Sequence, residues 1–311
     1  MAEGYTDVPL NMVEIEPYVI VKNEEIVTEI LNRDKCYFYD TCSFRRHSNL
    51  QQDAVEYLLK YIKDQNGIII ITRCILMELA SLSGVLNPEY VKYIKYIKEF
   101  GVTVLVMYEE DLFSVMGIAF STNAAINEYL CWAVRNMRGP VSTITKTLDQ
   151  HSRIHDEVIK GRNLEHQGIY SRFFQAVRAN KESGDNLGEE LLAICLHILS
   201  NMPGEPDGKF CVITDDKGAC SKIDHLFQQT AKQHRGKAII IFSTPKLVQV
   251  LYREKILTAR EVVKAMLSVG TEGNITVLGT LISDVRNREI SLDRETLTDL
   301  IMQPNGIHIL F

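Results

Sequence analysis

The stretch Cys36-Tyr37-Phe38-Tyr39-Asp40-Thr41-Cys42-Ser43 changes character at a single residue. Apolar and aromatic side chains give way to a carboxylate, two hydroxyls and a thiol, which is the pattern of a short buried strand ending at Asp40. Downstream, Gln51 to Lys63 puts Val55, Leu58, Leu59 and Ile62 on one helical face, and Asn66-Gly67 breaks that helix. Ile68 to Thr72 reads as a second buried strand, Cys74 to Ser83 and the segment opened by Pro88 as helices, and Val102 to Met107 as a third strand. Continuous Ile/Val runs separated by helices point to a parallel sheet covered on both faces.

The alternation stops near Asp111. From there to Asn180 the chain is polar, with helical stretches at Ala124 to Val134 and Ile169 to Ala179 and no β-branched run. It resumes with a helix over Leu187 to Leu199, a strand over Phe210 to Thr214, a helix over Ser221 to Gln233 and a strand over Ala238 to Phe242. Helices follow at Pro245 to Tyr252, Ala259 to Leu267 and near Asp293 to Ile301. The expected fold class is α/β, a three-layer α/β/α arrangement around a central, mostly parallel sheet, with a helical insertion and a C-terminal extension. The corresponding boundaries are an N-terminal segment 1–34, a discontinuous core 35–111 and 185–268, an insertion 112–184 and an extension 269–311.

Composition narrows the class. No stretch approaches the ~20 apolar residues of a membrane span, and Met1 to Leu10 lacks a basic region followed by an apolar one, so the expectation is a cytoplasmic protein that does not associate with membranes. Seven cysteines with no C-x-x-C pair argue against a disulfide framework and a zinc ribbon. Leu112 to Gly184 carries nine Lys/Arg against six Asp/Glu, +3, which leaves −9 for the remainder of a chain whose net charge is −6. An acidic body with a basic middle suits a protein that gathers metal cations at one place and phosphates at another.

Ligands of an open α/β sheet bind beyond the carboxyl ends of its strands. Asp40 follows the first strand, Asp215 and Asp216 follow Cys211 to Thr214, Glu78 lies on the helix after the second strand, and Glu189 and Glu190 open the helix after the insertion. Singly, each has an ordinary structural explanation: Asp40, Asp215 or Asp216 as a helix cap, Glu189 and Glu190 as first-turn acids, Glu78 as an exposed helical residue. Collected at one edge they repel one another and call for a cation, and hard oxygen ligands of this kind suit Mg2+ or Mn2+.

The same strings resemble the motifs of PIN domains. Tyr39-Asp40-Thr41-Cys42-Ser43 is similar to the opening motif, Ile71 to Leu79 to the second with its Glu, Gly188-Glu189-Glu190-Leu191-Leu192-Ala193 to the third, and Val212-Ile213-Thr214-Asp215-Asp216 to the fourth. Ile240 to Pro245 is also like the family's last strand, so the order of motifs agrees over about Lys35 to Leu267, apart from the insertion. The resemblance implies a metal-dependent endonuclease with Asp40, Glu78, Glu189 and Asp216 as catalytic, metal-binding acids. The doubled acids leave Glu190 and Asp215 as alternative ligands. It implies Mg2+ or Mn2+ as cofactor, RNA more readily than DNA as substrate, and Thr41 and Thr214 as positioning or substrate contacts. A homo-oligomer and an inhibitory protein partner stay open. The competing readings are a non-catalytic PIN-like scaffold, a structure-specific DNA nuclease and, more remotely, a receiver or phosphatase.

Other groupings are weaker. Arg45-Arg46-His47 follows Asp40 either as an ordinary basic loop or as a phosphate contact. Arg135, Arg138, Arg153, Arg162, Arg172 and Arg178 of the insertion are candidates for holding a polyanion, against the alternative that they pair with the insertion's own acids. His151 and His155 at i, i+4 lack the other signals of a zinc site, and Tyr90, Tyr93 and Tyr96 read as a packing ridge before a base-stacking platform.

Overall fold

Five strands, β1 (Lys35–Tyr39), β2 (Gly67–Thr72), β3 (Thr103–Met107), β4 (Phe210–Ile213) and β5 (Ile240–Phe242), form an all-parallel sheet in the order β3-β2-β1-β4-β5. The computed structural model describes residues 4–137, 139, 142–228, 234–269, 273–282, 284 and 286–311. Alternate side chains of each strand divide between two cores, as the pleat requires. Cys36, Phe38, Ile68, Ile70, Leu105, Met107, Phe210 and Val212 face one layer of helices. Tyr37, Tyr39, Ile69, Ile71, Val104, Val106, Cys211 and Ile213 face the other. The expected three-layer α/β/α fold is the observed one, and among the described residues no helix is long and apolar enough to cross a membrane.

The first layer consists of α1 (Asn23–Asn32), α6 (Leu112–Gly117), α7 (Asn123–Met137), α8 (Thr143–Gln150), α9 (Ser152–Val158), α10 (Ile169–Ala179), α11 (Leu187–Ser200) and α12 (Lys217–Gln228). The second contains α2 (Thr41–His47), α3 (Gln52–Asp64), α5 (Pro88–Phe100), α13 (Thr244–Arg253) and α14 (Arg260–Ser268), while α4 (Arg73–Ala80) turns residues toward both cores. The segment 112–184 is helical, as its sequence indicates, but it is no appendage. Leu130, Phe173, Phe174 and Val177 share one continuous core with the strands, so these helices are part of the layer that covers the sheet. The N-terminal segment likewise closes a sheet edge. Ile20 exchanges backbone hydrogen bonds with Val104 and Val106 beside β3, satisfying groups an open edge would leave unpaired.

The extension builds a second, antiparallel sheet from β6 (Ile275–Leu281), β7 (Arg288–Leu292) and β8 (Ile307–Ile309) in the order β7-β6-β8, with α15 (Arg294–Met302) packed on α13 and α14. Val277, Ile290, Leu297, Ile301 and Ile309 alternate inward and belong to the second core.

Local details correct several expectations. Arg45-Arg46-His47 is not a loop, because Asp40 caps α2 by accepting from the Thr41 amide and the segment is helical. His47 is buried between the Tyr39 hydroxyl at 2.8 Å and the Thr244 hydroxyl at 3.0 Å, and burial lowers its pKa to about 4. His151 is the junction of α8 and α9, so it and His155 do not share one uninterrupted helical face. Tyr93 packs 5.2 Å from the Phe44 ring, as the packing-ridge reading holds.

The arginines of the insertion are largely engaged at home. Arg153 and Arg172 both pair with the buried Glu157, Arg162 pairs with Asp156, and Arg135 donates to the Ile159 carbonyl. Arg178, with 2% of its side chain exposed, bonds Glu109, Glu110 and Asp7 and tucks against the Tyr108 ring. Arg138 lies outside the described residues. At Arg178 the expectation of a polyanion contact gives way to a structural role that locks α10 to the segment after β3, while Arg172 ties α10 to α9 and the exposed Arg153 and Arg162 pair at the surface. Arg178→Met leaves Glu109 buried without its counter-charge and is expected to cost about 3–5 kcal/mol in urea denaturation. A loss below about 1 kcal/mol contradicts that role.

Candidate active site

The order β3-β2-β1-β4-β5 reverses direction between β1 and β4, and the connections leave these two strands on opposite faces: α2 packs in one core, α12 in the other. A crevice must open beyond their carboxyl ends. Asp40 stands at the end of β1 with its amide bonded to the Ile213 carbonyl of β4 at 3.0 Å. Thr214, Asp215 and Asp216 leave β4 beside it.

Four acids form a ring around this crevice. Asp40 accepts from the Thr41 amide at 2.8 Å through Oδ1, and from the Thr214 hydroxyl at 2.8 Å and the Cys42 thiol at 3.0 Å through Oδ2. The Thr41 hydroxyl donates to Glu78 Oε2 at 2.5 Å. Glu78 presses against Gly188 at the start of α11, so closely that a Cβ there would stand 2.5 Å from Oε1. The next residue, Glu189, shares the space beside Gly218 with Asp216: a Cβ on Gly218 would lie 2.9 Å from Asp216 Oδ1 and 3.4 Å from Glu189 Oε2. Thr214 closes the ring, because its hydroxyl oxygen accepts from the Asp216 amide at 3.0 Å while donating to Asp40.

The other two candidate acids turn elsewhere. Asp215 accepts from the Ser43 hydroxyl and from the Thr244 amide and hydroxyl, and it pairs with Arg46 at 3.3 Å, so it ties α2 and α13 to the end of β4. Glu190 points to the Ser142 hydroxyl at 2.9 Å, and burial pushes its pKa up to about 7. Arg45 donates to the Glu78 carbonyl at 2.7 Å.

Electrostatics show what the ring lacks. Burial raises the Asp40 pKa, hydrogen bonds from Cys42 and Thr214 offset part of the rise, and the charge of Glu78 adds to it. Glu189 is raised by burial, lowered by Lys222, and raised again by Asp216 and Asp40. Two lysines supply the positive charge: Lys181 meets Glu78 Oε1 at 3.0 Å and also pairs with Asp185, and Lys222 pairs with Glu189 Oε2. Among the described residues no three His, Cys, Asp or Glu side chains stand as a ready-made metal-ion group. The donor set still suits a hard divalent ion. It is all oxygen and anionic, and among the described residues Asp216 Oδ2 and Glu189 Oε1 make no hydrogen bond or ion pair. Cys42 has its thiol pKa raised to about 12 by burial and by Asp40, so it acts as a donor to Asp40 rather than a nucleophile.

Sequence reasoning placed the acids but missed Lys181, Lys222 and Asp185 as parts of the same site. The only signal was their spacing: Lys181 and Asp185 stand four apart just before α11, and Lys222 is six residues beyond Asp216 on α12. No family model, curated protein or solved structure matches the chain.

Because Gly188 is where α11 approaches Glu78, Gly188→Ala is expected to force the carboxylate off Thr41 and Lys181 and to lower stability by about 1–3 kcal/mol in urea denaturation. Gly117→Ala, whose added Cβ meets nothing closer than 3.9 Å, is the matched substitution expected to cost nothing.

Proposed function

We propose that this protein is a divalent-metal-dependent endonuclease of the PIN-like type that hydrolyses phosphodiester bonds in RNA. The observation that carries the reading is the convergence of Asp40, Glu78, Glu189 and Asp216 at the crevice between β1 and β4. Asp40, Glu189 and Asp216 would hold Mg2+ or Mn2+, which when bound lowers the pKa of a water and offsets charge on the scissile phosphate. The chain's own groups hold the acids in position. Thr214 and Cys42 fix Oδ2 of Asp40, Thr41 couples Asp40 to Glu78, and the ion pair with Lys181 at 3.0 Å orients Glu78. Lys222 and the half-buried Arg46 flank the acids and bring positive charge for phosphate oxygens. The choice of RNA over DNA rests on the resemblance to PIN domains.

One observation favours a second reading, a non-catalytic scaffold of the same fold: Glu78 and Glu189 each already have a lysine partner, so their charge is offset by the chain itself. Labelled single-stranded RNA and DNA incubated with Mg2+ or Mn2+ separate the two. The nuclease reading expects metal-dependent cleavage that falls to background in Asp40→Asn. It also expects a rise in melting temperature with Mn2+, equivalent to about 2.7 kcal/mol at a hundredfold excess over Kd, that the variant loses. In metal-free buffer Asp40→Asn should be as stable as the unaltered chain or more so, since burial and Glu78 both disfavour the Asp40 charge. Neither cleavage nor thermal shift from the unaltered chain would return the scaffold.

A further inference from the structure

Glu190 is 4% exposed, yet only one of its carboxylate oxygens is engaged. Oε2 accepts from the Ser142 hydroxyl at 2.9 Å. Among the described residues Oε1 makes no hydrogen bond, and no cation stands at ion-pair distance from either oxygen. A buried carboxylate in that state calls for a positive group. Glu190 lies in the wall of a cavity of about 300 Å3, with Ser142, Asn186, Ser221 and His225, and Lys222 lines the same cavity.

Lys222 has the freedom to answer that call. Its ammonium pairs with Glu189 Oε2, and among the described residues this is the only carboxylate it meets. Lys181 is held quite differently. It joins Glu78 to Asp185, packs 5.2 Å from the Tyr5 ring and has 2% of its side chain exposed. Lys222 is 24% exposed, sits on a flexible four-carbon stem and borders open volume. Glu189 and Glu190 are consecutive in the first turn of α11, so they offer one ammonium two seats, one in the acid ring and one outside it.

The first seat conflicts with the task of the ring. Glu189 Oε1 and Asp216 Oδ2 are its open oxygens, and the partner oxygens Oε2 and Oδ1 stand around one point beside Gly218. A divalent ion on these oxygens would share Glu189 with an ammonium, and like charges so close repel strongly where water is partly excluded.

We propose that Lys222 is a displaceable counter-ion of the metal site, which pairs with Glu189 before a divalent ion binds and moves to Glu190 Oε1 when the ion takes Glu189. The inference rests on the nuclease reading and gives Lys222 and Glu190 a positioning role within it. The second seat makes metal binding less costly, because the ammonium leaves one carboxylate only to meet another. It also supplies buried Glu190 with a counter-charge.

Calorimetric titration of Mn2+ into the unaltered chain, Lys222→Gln, Glu190→Gln and the double variant tests this, in buffer above the pKa of about 7 that burial gives Glu190. Lys222→Gln should tighten the Mn2+ Kd about tenfold, since no ammonium has to leave. Lys222→Met, which also lacks the ammonium, should do the same. Glu190→Gln keeps the size of the side chain and should weaken Mn2+ binding about fivefold where Lys222 is present, but less than about twofold in the Lys222→Gln background. That coupling reports movement: charges that stay in place would give Glu190→Gln the same factor in both backgrounds. Equal factors, or a Kd that Lys222→Gln and Lys222→Met leave unchanged or weaker, overturn the displacement and leave the metal site standing. Absence of Mn2+ binding in all the chains removes the nuclease reading and the displacement together.

Discussion

The Thr214 hydroxyl, donating to Asp40 and accepting from the Asp216 amide, is the contact on which the crevice depends. It bridges the ends of two strands distant in sequence and adjacent in the sheet. It can do so because β1 and β4 pair in a register that sets Tyr39 against Ile213. A register slip of one residue would turn Thr214 into a core and separate the two acids. The Asp40 amide bonds the Ile213 carbonyl in the same ladder, so the pairing of β1 with β4 itself sets the position of the carboxylates.

A ring of acids around a buried crevice is costly to assemble because like charges raise one another's pKa. This chain offsets that cost with Lys181 and Lys222, which approach from α10's end and from α12. Lys181 has 2% of its side chain exposed, and although burial disfavours its charge, Glu78 and Asp185 hold its pKa above the ordinary lysine value. The site is thus a mixed network, in which the two lysines offset part of the carboxylates' mutual repulsion.

The helices of 112–184 and the sheet of 269–311 divide the remaining work. The helices are bound to the core through shared apolar packing and the buried Arg178 network, and the charge of Arg178 is consumed in holding them there. The antiparallel sheet packs its apolar face on α13 and α14, bringing β6 beside the ends of β4 and β5, where it walls one side of the crevice. Charge counted along a sequence does not distinguish an arginine that faces solvent from one that neutralises a neighbour, which is why the basic segment suggested a binding surface.

The α/β class, the order of the main elements and the placement of Asp40, Glu78, Glu189 and Asp216 were legible in the sequence, because strands buried on both faces leave uninterrupted apolar runs and sheet sites lie at strand ends. Ile169–Ala179 and Pro88–Phe100 begin where periodicity and Pro88 say they should. The short helix Thr41–His47 was not legible, since a capped helix of about two turns has too little period to register, and with it went the burial of His47. Which acid of each doublet faces the crevice was decided only by tertiary structure. Asp215 is drawn away by Ser43, Thr244 and Arg46, and Glu190 by Ser142, partners that lie between 29 and 172 residues away. The lysine partners were decided the same way: an ion pair is set by distance in space, and local sequence carries only distance along the chain.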